Sequence, residues 1–91
     1  MLELIQDARG REPNCALYLY YIPRQSLYYI ADYHLKVKMP DGSWKEHLRY
    51  IDCFNPSNTY ARSLDMFKVD RWQVLTASEA REFYETGNLP L

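Results

Sequence analysis

The fold is decided by residues 27–52, which read LYYIADYHLKVKMPDGSWKEHLRYID. Apolar and polar side chains alternate through the first half of this stretch, which is typical of a β-strand with one buried face. The alternation stops at the segment Pro-Asp-Gly-Ser that begins at Pro40. This segment favours a turn, because proline presets φ and glycine tolerates a positive φ. A second strand follows over residues 44–53, so the stretch predicts one long β-hairpin that the other segments cover.

The register of the hairpin decides which side chains share its polar face. A four-residue loop places Leu35 opposite Leu48, so that apolar side chains meet across the two strands. A three-residue loop would instead place Leu35 opposite His47. Because a slip of one residue turns every side chain to the other face, the hydrophobic match favours the four-residue loop.

In this register, one face of the hairpin collects its cations. They are Lys36, Lys38, Lys45 and Arg49, together with the histidines His34 and His47. The whole chain carries a formal net charge of −1, so the concentration of positive charge is local. The face is either a solvated surface whose lysines guard against edge aggregation, or a binding surface for phosphate groups or for an acidic protein.

Aromatic side chains extend the candidate surface. Trp44, beside the turn, is either a core residue or a stacking wall at the rim of the cationic face. Tyr60 and Arg62 share one face of a later strand and add an aromatic ring and a guanidinium group. The candidate ligand-binding residues are therefore His34, Lys36, Lys38, Trp44, Lys45, His47, Arg49, Tyr60 and Arg62.

Length and composition indicate an ordinary globular domain. The chain has 91 residues, which predicts a single domain over residues 1–91. Hydrophobic residues make up 47% of it, which is enough for a core. Two cysteines do not make a disulfide framework, and no segment resembles a signal peptide or a membrane span. We therefore expect a cytoplasmic protein with reduced thiols and no membrane partner.

The N-terminal segments leave two alternatives open. Residues 1–10 have the spacing of a helix but would also begin a short strand. Residues 15–22 predict a strand that is apolar on both faces. Such a strand either lies centrally under a helix or contacts another subunit through Tyr18 and Tyr20. The second alternative predicts a homo-oligomer.

The C-terminal part predicts two short strands and a helix. The strands cover residues 59–64 and 68–75, with Val69, Trp72, Val74 and Leu75 as candidate core residues. The segment Thr-Ala-Ser-Glu from Thr76 fits a capping box, and Gly87 is suited to end the helix. Its inward stripe would be Ala80, Phe83 and Tyr84. The fold class is therefore α+β, with about five antiparallel strands in a strongly bent sheet or a small SH3-like barrel and a C-terminal helix.

Catalytic and metal-binding signatures are not found. The three glycines do not form a phosphate-cradling loop, and there is no Gly-x-Ser-x-Gly nucleophile elbow. His34, His47, Cys15 and Cys53 match no zinc-binding spacing. Neither histidine has an evident nucleophile or orienting carboxylate beside it. We therefore expect neither an enzyme nor a cofactor.

Short motifs resemble two protein families. Three features of the chain resemble the short phage Thoeris anti-defence proteins. They are the strand motif Leu-Tyr-Leu-Tyr from Leu17, the strand that leads into Asp41-Gly42, and the later residues Ser63, Asp65-Met66, Asp70, Trp72 and Val74. That resemblance implies a small β-rich protein that sequesters a cyclic nucleotide signal. The segment Tyr-Ala-Arg-Ser-Leu-Asp-Met-Phe from Tyr60 is similar to a strand of a bacterial small β-barrel family, which implies no activity.

The sequence supports three hypotheses about function. The first is a non-enzymatic binding protein, phage-encoded and acting in counter-defence, that captures a phosphate-bearing nucleotide on the cationic hairpin face. The second is an inhibitor that blocks a host protein through its tyrosine-rich sheet. The third is a nucleic-acid-binding small barrel, which the basic face favours and the pI of about 6.1 disfavours.

Overall fold

The chain folds into one bent, open, five-stranded antiparallel sheet with a helix on each side, as seen in a computed structural model that describes residues 1–87. The α+β class and the bent-sheet alternative are thus confirmed, and the sheet does not close into a barrel. The helices are α1 (Leu2–Arg11) and α2 (Ala77–Thr86), and the strands are β1 (Leu17–Tyr21), β2 (Ser26–Lys38), β3 (Trp44–Asp52), β4 (Thr59–Ser63) and β5 (Trp72–Thr76). Short 3₁₀ turns cover Ile22–Arg24, Leu64–Met66 and Val69–Arg71.

The strand order is β4-β3-β2-β1-β5, so β1 lies between β2 and β5. We call the face that carries Leu19, Tyr28 and Tyr50 the front face and the opposite one the back face. α1 packs on the front face with Ile5 and Ala8, which are fully buried, so the first residues form the helix rather than the strand. α2 covers one end of the back face, where residues of β1, β2 and β5 are buried under it.

Strand β1 lies inside the sheet and under a helix, which is one of the two alternatives predicted from its two apolar faces. Tyr20 is 4% exposed, and its ring lies 5.0 Å from the ring of Phe83 of α2 in an edge-on contact. The alternative that Tyr20 contacts another subunit is therefore wrong, because α2 already buries that side chain. Tyr18 is half-buried at the margin of the same cluster.

The predicted register of the hairpin is wrong, because turn geometry decides it near the tip. The Met39 amide donates to the Ser43 carbonyl at 2.7 Å, and this bond closes a three-residue loop. Gly42 has φ of 88°, the left-handed position that such a loop places after a type I turn. Lys38 consequently lies opposite Trp44, and Leu35 lies opposite His47. The geometry of the loop therefore determines the register, and the predicted pairing of Leu35 with Leu48 does not form.

Two irregularities in β2 then change the register along the hairpin. They lie between Ile30 and Asp32 and between Asp32 and Leu35. The Asp32 carboxylate accepts a hydrogen bond from the His34 amide at 2.8 Å, a local bond that competes with the strand ladder. Before these irregularities in the chain, Ile30 pairs with Tyr50 and is buried, whereas the neighbouring Tyr29 is 40% exposed.

Helix α2 begins as its capping box predicts. The Glu79 carboxylate accepts from the Thr76 amide at 2.8 Å, the Thr76 hydroxyl accepts from the Glu79 amide at 3.3 Å, and Gly87 ends the helix with φ of 76°. Phe83 is buried as predicted, but Tyr84 is exposed and stacks on Phe54 instead.

The segment before β5 is a 3₁₀ turn rather than a strand, and this leaves Val69 exposed. Trp72, Val74 and Leu75 are buried as predicted. Neither helix of residues 1–87 is long and apolar enough to cross a membrane.

Candidate ligand-binding cavity

The cations of the hairpin do not share one face. Paired residues of an antiparallel ladder point to the same side, so the register puts Lys36 and Lys38 on the front face with Trp44. Lys45, His47 and Arg49 alternate with Leu48 and point to the back. The common cationic face expected from the sequence is therefore wrong, and the three-residue loop is the physical reason.

Acidic neighbours also compensate the hairpin cations. Lys45 forms an ion pair with Asp65 at 3.1 Å, Lys36 lies opposite Glu46, and Arg49 lies opposite Asp32. Opposite charges across a strand pair are mildly stabilising, whereas like charges repel. The hairpin therefore carries a mixed, self-neutralising set of charges rather than a field that attracts anions.

The remaining candidates of the hairpin lie apart from each other. Trp44 is 63% exposed, so it is not a core residue, and it stands at the tip of the hairpin. His34 is exposed and contacts the ring of the adjacent Tyr33, with 4.3 Å between ring centroids. His47 places Nδ1 3.2 Å from the Lys45 carbonyl. The structure does not bring these side chains together in one pocket.

Tyr60 and Arg62 do come together, in a cavity at the other end of the sheet. The cavity lies on the front face and has a volume of about 440 Å³. β2, β3 and β4 each contribute two residues separated by one position, because alternate residues of a strand face the same side. Its lining is Tyr21, Arg24, Ser26, Tyr28, Tyr50, Asp52, Tyr60, Arg62 and Trp72.

The floor of this aromatic cavity is a rigid cluster of rings. The ring of Tyr28 lies edge-on to that of Tyr50 at 5.1 Å between centroids, and Trp72 lies 6.0 Å from Tyr50. These three side chains are at most 7% exposed. Tyr60 stacks on Tyr50 at 5.4 Å and is 43% exposed. Edge-on and stacked contacts of this kind stabilise the cluster and leave the face of one ring open to solvent.

Two arginines line the cavity, Arg24 from the 3₁₀ turn after β1 and Arg62 from β4. The Arg24 guanidinium lies 5.0 Å from the centroid of Tyr21, and the Arg62 guanidinium lies 5.7 Å from that of Trp72. Within residues 1–87, neither arginine forms an ion pair with a carboxylate. Burial raises the pKa of the Tyr50 hydroxyl, and the positive charges of Arg62 and Arg24 oppose that rise. Both charges therefore act on the Tyr50 side chain, which lines the cavity.

The cavity also offers uncharged and acidic hydrogen-bonding groups. Asp52 is held in place because its carboxylate accepts from the amides of Phe54 at 2.9 Å and Asn55 at 3.3 Å. Among the residues that the structure describes, the hydroxyls of Tyr28, Tyr50 and Tyr60 form no hydrogen bond with another protein group. They are therefore free to bind a ligand or water.

Sequence reasoning missed most of this site. Of its residues, only Tyr60 and Arg62 were among the candidates, and Arg24, Tyr50 and Trp72 were not. The sequence does contain a signal for this site, namely pairs of polar or aromatic residues two positions apart, such as Tyr50 with Asp52 and Tyr60 with Arg62. Those pairs become a site only when the register places them side by side, since Tyr50 pairs with Tyr60 and with Ile30.

Cysteines and metal ligands do not form a second centre. Cys15 packs against the front-face core and Cys53 against the cluster under α2, and both thiols are free. Burial, with the nearby charge of Asp52, raises the pKa of Cys53 to about 11. No group of three histidine, cysteine or acidic side chains able to hold a metal ion occurs within residues 1–87.

No family model, curated protein or solved structure matches this chain.

Proposed function

We propose that this chain is a non-enzymatic binding protein that captures a phosphate-bearing nucleotide in the aromatic cavity. The observation that carries the proposal is the pair Arg24 and Arg62, which have no ion-pair partner among residues 1–87 and lie over a cluster of tyrosine and tryptophan rings. The volume of about 440 Å³ lies within the range of roughly 300–1,000 Å³ that is usual for small-molecule sites. The ligand class is the one expected from the sequence, but its site moves from the hairpin to this cavity.

The two parts of a nucleotide match two parts of the cavity. Arginine presents a planar fork of donors that suits phosphate oxygens, and hydrogen bonds to charged groups are stronger than neutral ones. The exposed face of Tyr60 offers a surface on which a base stacks, and aromatic stacking tolerates any base. The Asp52 carboxylate, already oriented by two backbone amides, suits a sugar hydroxyl as acceptor. Recognition in this scheme uses groups that need little rearrangement.

The role that we propose for this protein in the cell is to sequester a nucleotide. A protein that holds a nucleotide signal lowers its free concentration in proportion to the amount of protein, without chemistry. The resemblance of Ser63, Asp65-Met66 and Trp72 to the short phage Thoeris anti-defence proteins supports a counter-defence role in phage infection. Such a role requires action in the cytoplasm, where the two free cysteines would stay reduced.

A thermal-shift screen tests the proposal. The panel contains adenosine, inorganic phosphate, AMP, ADP, a cyclic dinucleotide and a short oligonucleotide. A ligand at about 100 times its dissociation constant stabilises the folded state by roughly 2.7 kcal/mol, and in a domain of this size each kcal/mol raises Tm by about 4–8 °C. We expect a shift with at least one nucleotide that exceeds those with adenosine and with phosphate, since only a nucleotide engages rings and arginines together.

Two variants make the screen specific. The double variant Arg24→Gln and Arg62→Gln should lose the shift, whereas Lys36→Gln with Arg49→Gln removes the same charge from the hairpin and should retain it. A panel without any nucleotide response contradicts the proposal. A response that survives the first double variant and is lost in the second would return the site to the hairpin.

One observation favours inhibition by direct protein contact as the second candidate function. Phe54 and Tyr84 stack in parallel at 5.6 Å and are both more than half exposed. Large aromatic side chains are enriched in protein interfaces. A host-protein inhibitor that uses this pair would lose binding on Phe54→Ser with Tyr84→Ser, and those changes would leave a nucleotide response intact.

A further inference from the structure

The two edges of the sheet are treated differently. At the β5 edge, the Arg11 side chain of α1 donates to the Val74 carbonyl at 2.9 Å, which occupies a backbone group that a new strand would need. At the β4 edge, residues 59–62 are all exposed, and within the part of the chain that the structure describes β4 pairs with β3 alone. An unprotected edge is a template for another strand, and proteins usually block it with lysine, proline or a bulge. β4 contains no lysine, proline or bulge, and its one charged side chain, Arg62, lies over the rings of Phe67 and Trp72.

The ladder shows which backbone groups of β4 are free. The Asp52 amide donates to the Asn58 carbonyl at 3.0 Å, so these residues form a hydrogen-bonded pair. Hydrogen-bonded and non-hydrogen-bonded pairs alternate in an antiparallel ladder. Two steps further, Tyr50 and Tyr60 are again a bonded pair, and Ala61 opposite Arg49 is not. The amide and carbonyl of Ala61 therefore point away from β3 and out of the edge.

We propose that two copies of this chain pair antiparallel through β4 with the twofold axis at Ala61, and that this pairing joins their two aromatic cavities. The part that concerns the cavities rests on the function proposed above. The Ala61 residues of the two copies then exchange amide-to-carbonyl hydrogen bonds. This register overlaps the whole length of both strands, and registers shifted to either side overlap less.

The side chains are self-complementary in that register. Tyr60 of one copy lies opposite Arg62 of the partner subunit, in a non-hydrogen-bonded pair where side chains are closest. A guanidinium over a tyrosine ring is attractive, particularly where solvent is partly excluded. On the other face only the small Ala61 side chains meet at the axis. A second copy therefore fits the edge without like charges directly opposite each other.

The pairing bears on the site because Tyr60 and Arg62 line the cavity. Arg62 of the partner subunit would stand beside the exposed ring of Tyr60, at the mouth of the cavity. Each ligand would then meet three guanidinium groups rather than two. A ligand with several phosphate groups should therefore bind the dimer more tightly than the monomer.

Light scattering after size exclusion, without ligand and at micromolar concentration, tests the pairing. We expect the wild type to be a dimer that dissociates on dilution, and Ala61→Pro to dissociate at a higher concentration than the wild type. Proline removes the edge amide, and the bonds to β3 stay, because the Ala61 amide is not used there. Losing one hydrogen bond in each copy should weaken pairing about tenfold or more. Ala61→Thr keeps the amide and is the matched control. A monomeric wild type, or an Ala61→Pro variant with native circular dichroism that dissociates at the same concentration as the wild type, overturns the pairing.

Hydrogen exchange of the wild type decides the question even if the proline variant fails to fold. The Ala61 amide should become protected as protein concentration rises through the dimerisation range. Fast exchange of this amide in a dimeric sample places the interface elsewhere and overturns the pairing.

ADP titration of the folded Ala61→Pro monomer tests the shared cavity. We expect its affinity to fall about tenfold, as for the loss of one charged hydrogen bond. An unchanged affinity overturns the shared cavity. If ADP binds neither protein, the proposed function fails for this ligand, and the oligomeric state still decides the pairing independently.

Discussion

Replacing Arg62 with glutamine should separate binding from stability. The Arg62 guanidinium lies 5.3 Å from the centroid of Phe67 and 5.7 Å from that of Trp72, and it has no carboxylate partner among residues 1–87. At an exposed site such a contact contributes about 0.5–1 kcal/mol to folding. A hydrogen bond from a charged group to a phosphate contributes about 1.5–3 kcal/mol to binding. Arg62→Gln should therefore lower nucleotide affinity by roughly tenfold to 150-fold and destabilise the fold by under about 1 kcal/mol.

Isothermal titration with the strongest nucleotide of the panel, with urea unfolding alongside it, measures both quantities. Arg49→Gln is the matched control, because it removes the same charge on the back face opposite Asp32 and away from the cavity. Its effect on affinity should stay within about twofold, as for a screened distant charge. Arg62→Lys should fall between the wild type and Arg62→Gln, since lysine keeps the charge but loses the fork. Equal losses for Arg62→Gln and Arg49→Gln would refute the assignment of Arg62 to the phosphate.

Three further predictions concern the capping box and the buried thiol. Thr76→Ala removes the acceptor of the Glu79 amide and should cost about 1 kcal/mol in urea unfolding. Burial raises the pKa of Glu79, but hydrogen bonds from Arg11 and the Thr76 amide, with the Arg11 charge, hold it below its usual value. Because the folded pKa is depressed, Glu79 stabilises the fold above its unfolded pKa, and this contribution disappears as pH falls through the folded pKa. Glu79→Gln should therefore be less stable than wild type at neutral pH, and the difference should shrink as pH falls through the depressed pKa of folded Glu79. With a pKa of about 11, Cys53 has roughly a thousandth of its thiol ionised at pH 8, so iodoacetamide should modify it far more slowly in the native protein than in urea.

Local chemistry in the sequence predicted elements well where one short segment decides the structure. The capping box at Thr76 and the glycine at position 87 define both ends of α2, because their hydrogen bonds lie within one turn of the helix. The hairpin and its turn at Pro40 follow from alternation and from turn residues in the same way. These features depend on neighbours in the chain and not on the rest of the fold.

The register depended on competition between the match across the two strands and the local geometry of the loop and of β2. Matching Leu35 to Leu48 was a sound local preference, but the three-residue loop with Gly42 in the left-handed region outweighed it. The Asp32 carboxylate bond to the His34 amide then shifted the ladder again. No composition or spacing rule indicates which of these terms is larger. Consequently the lysines and the arginine of the predicted face lie on both faces of the hairpin.

The aromatic cavity could not be predicted for a related reason. Its side chains come from all five strands and a 3₁₀ turn, and they converge only because the sheet places the ends of these strands side by side. Tyr21 and Trp72 are brought together by the pairing of β1 with β5, at 4.6 Å between their ring centroids. In the sequence they are separated by the whole hairpin. A surplus of tyrosine indicated a contact surface but not its place.

The two tryptophans offer the most direct test of where the ligand binds. The chain contains two tryptophans: Trp72 lies in the cavity and is 5% exposed, and Trp44 lies at the tip of the hairpin and is 63% exposed. A proton–nitrogen NMR spectrum of the labelled protein therefore shows one indole signal for each site, and single Trp→Phe variants assign them. On titration with the strongest nucleotide of the panel, we expect the Trp72 signal to move in a saturable manner while the Trp44 signal stays in place. Movement of Trp44 alone would contradict the cavity as the binding site.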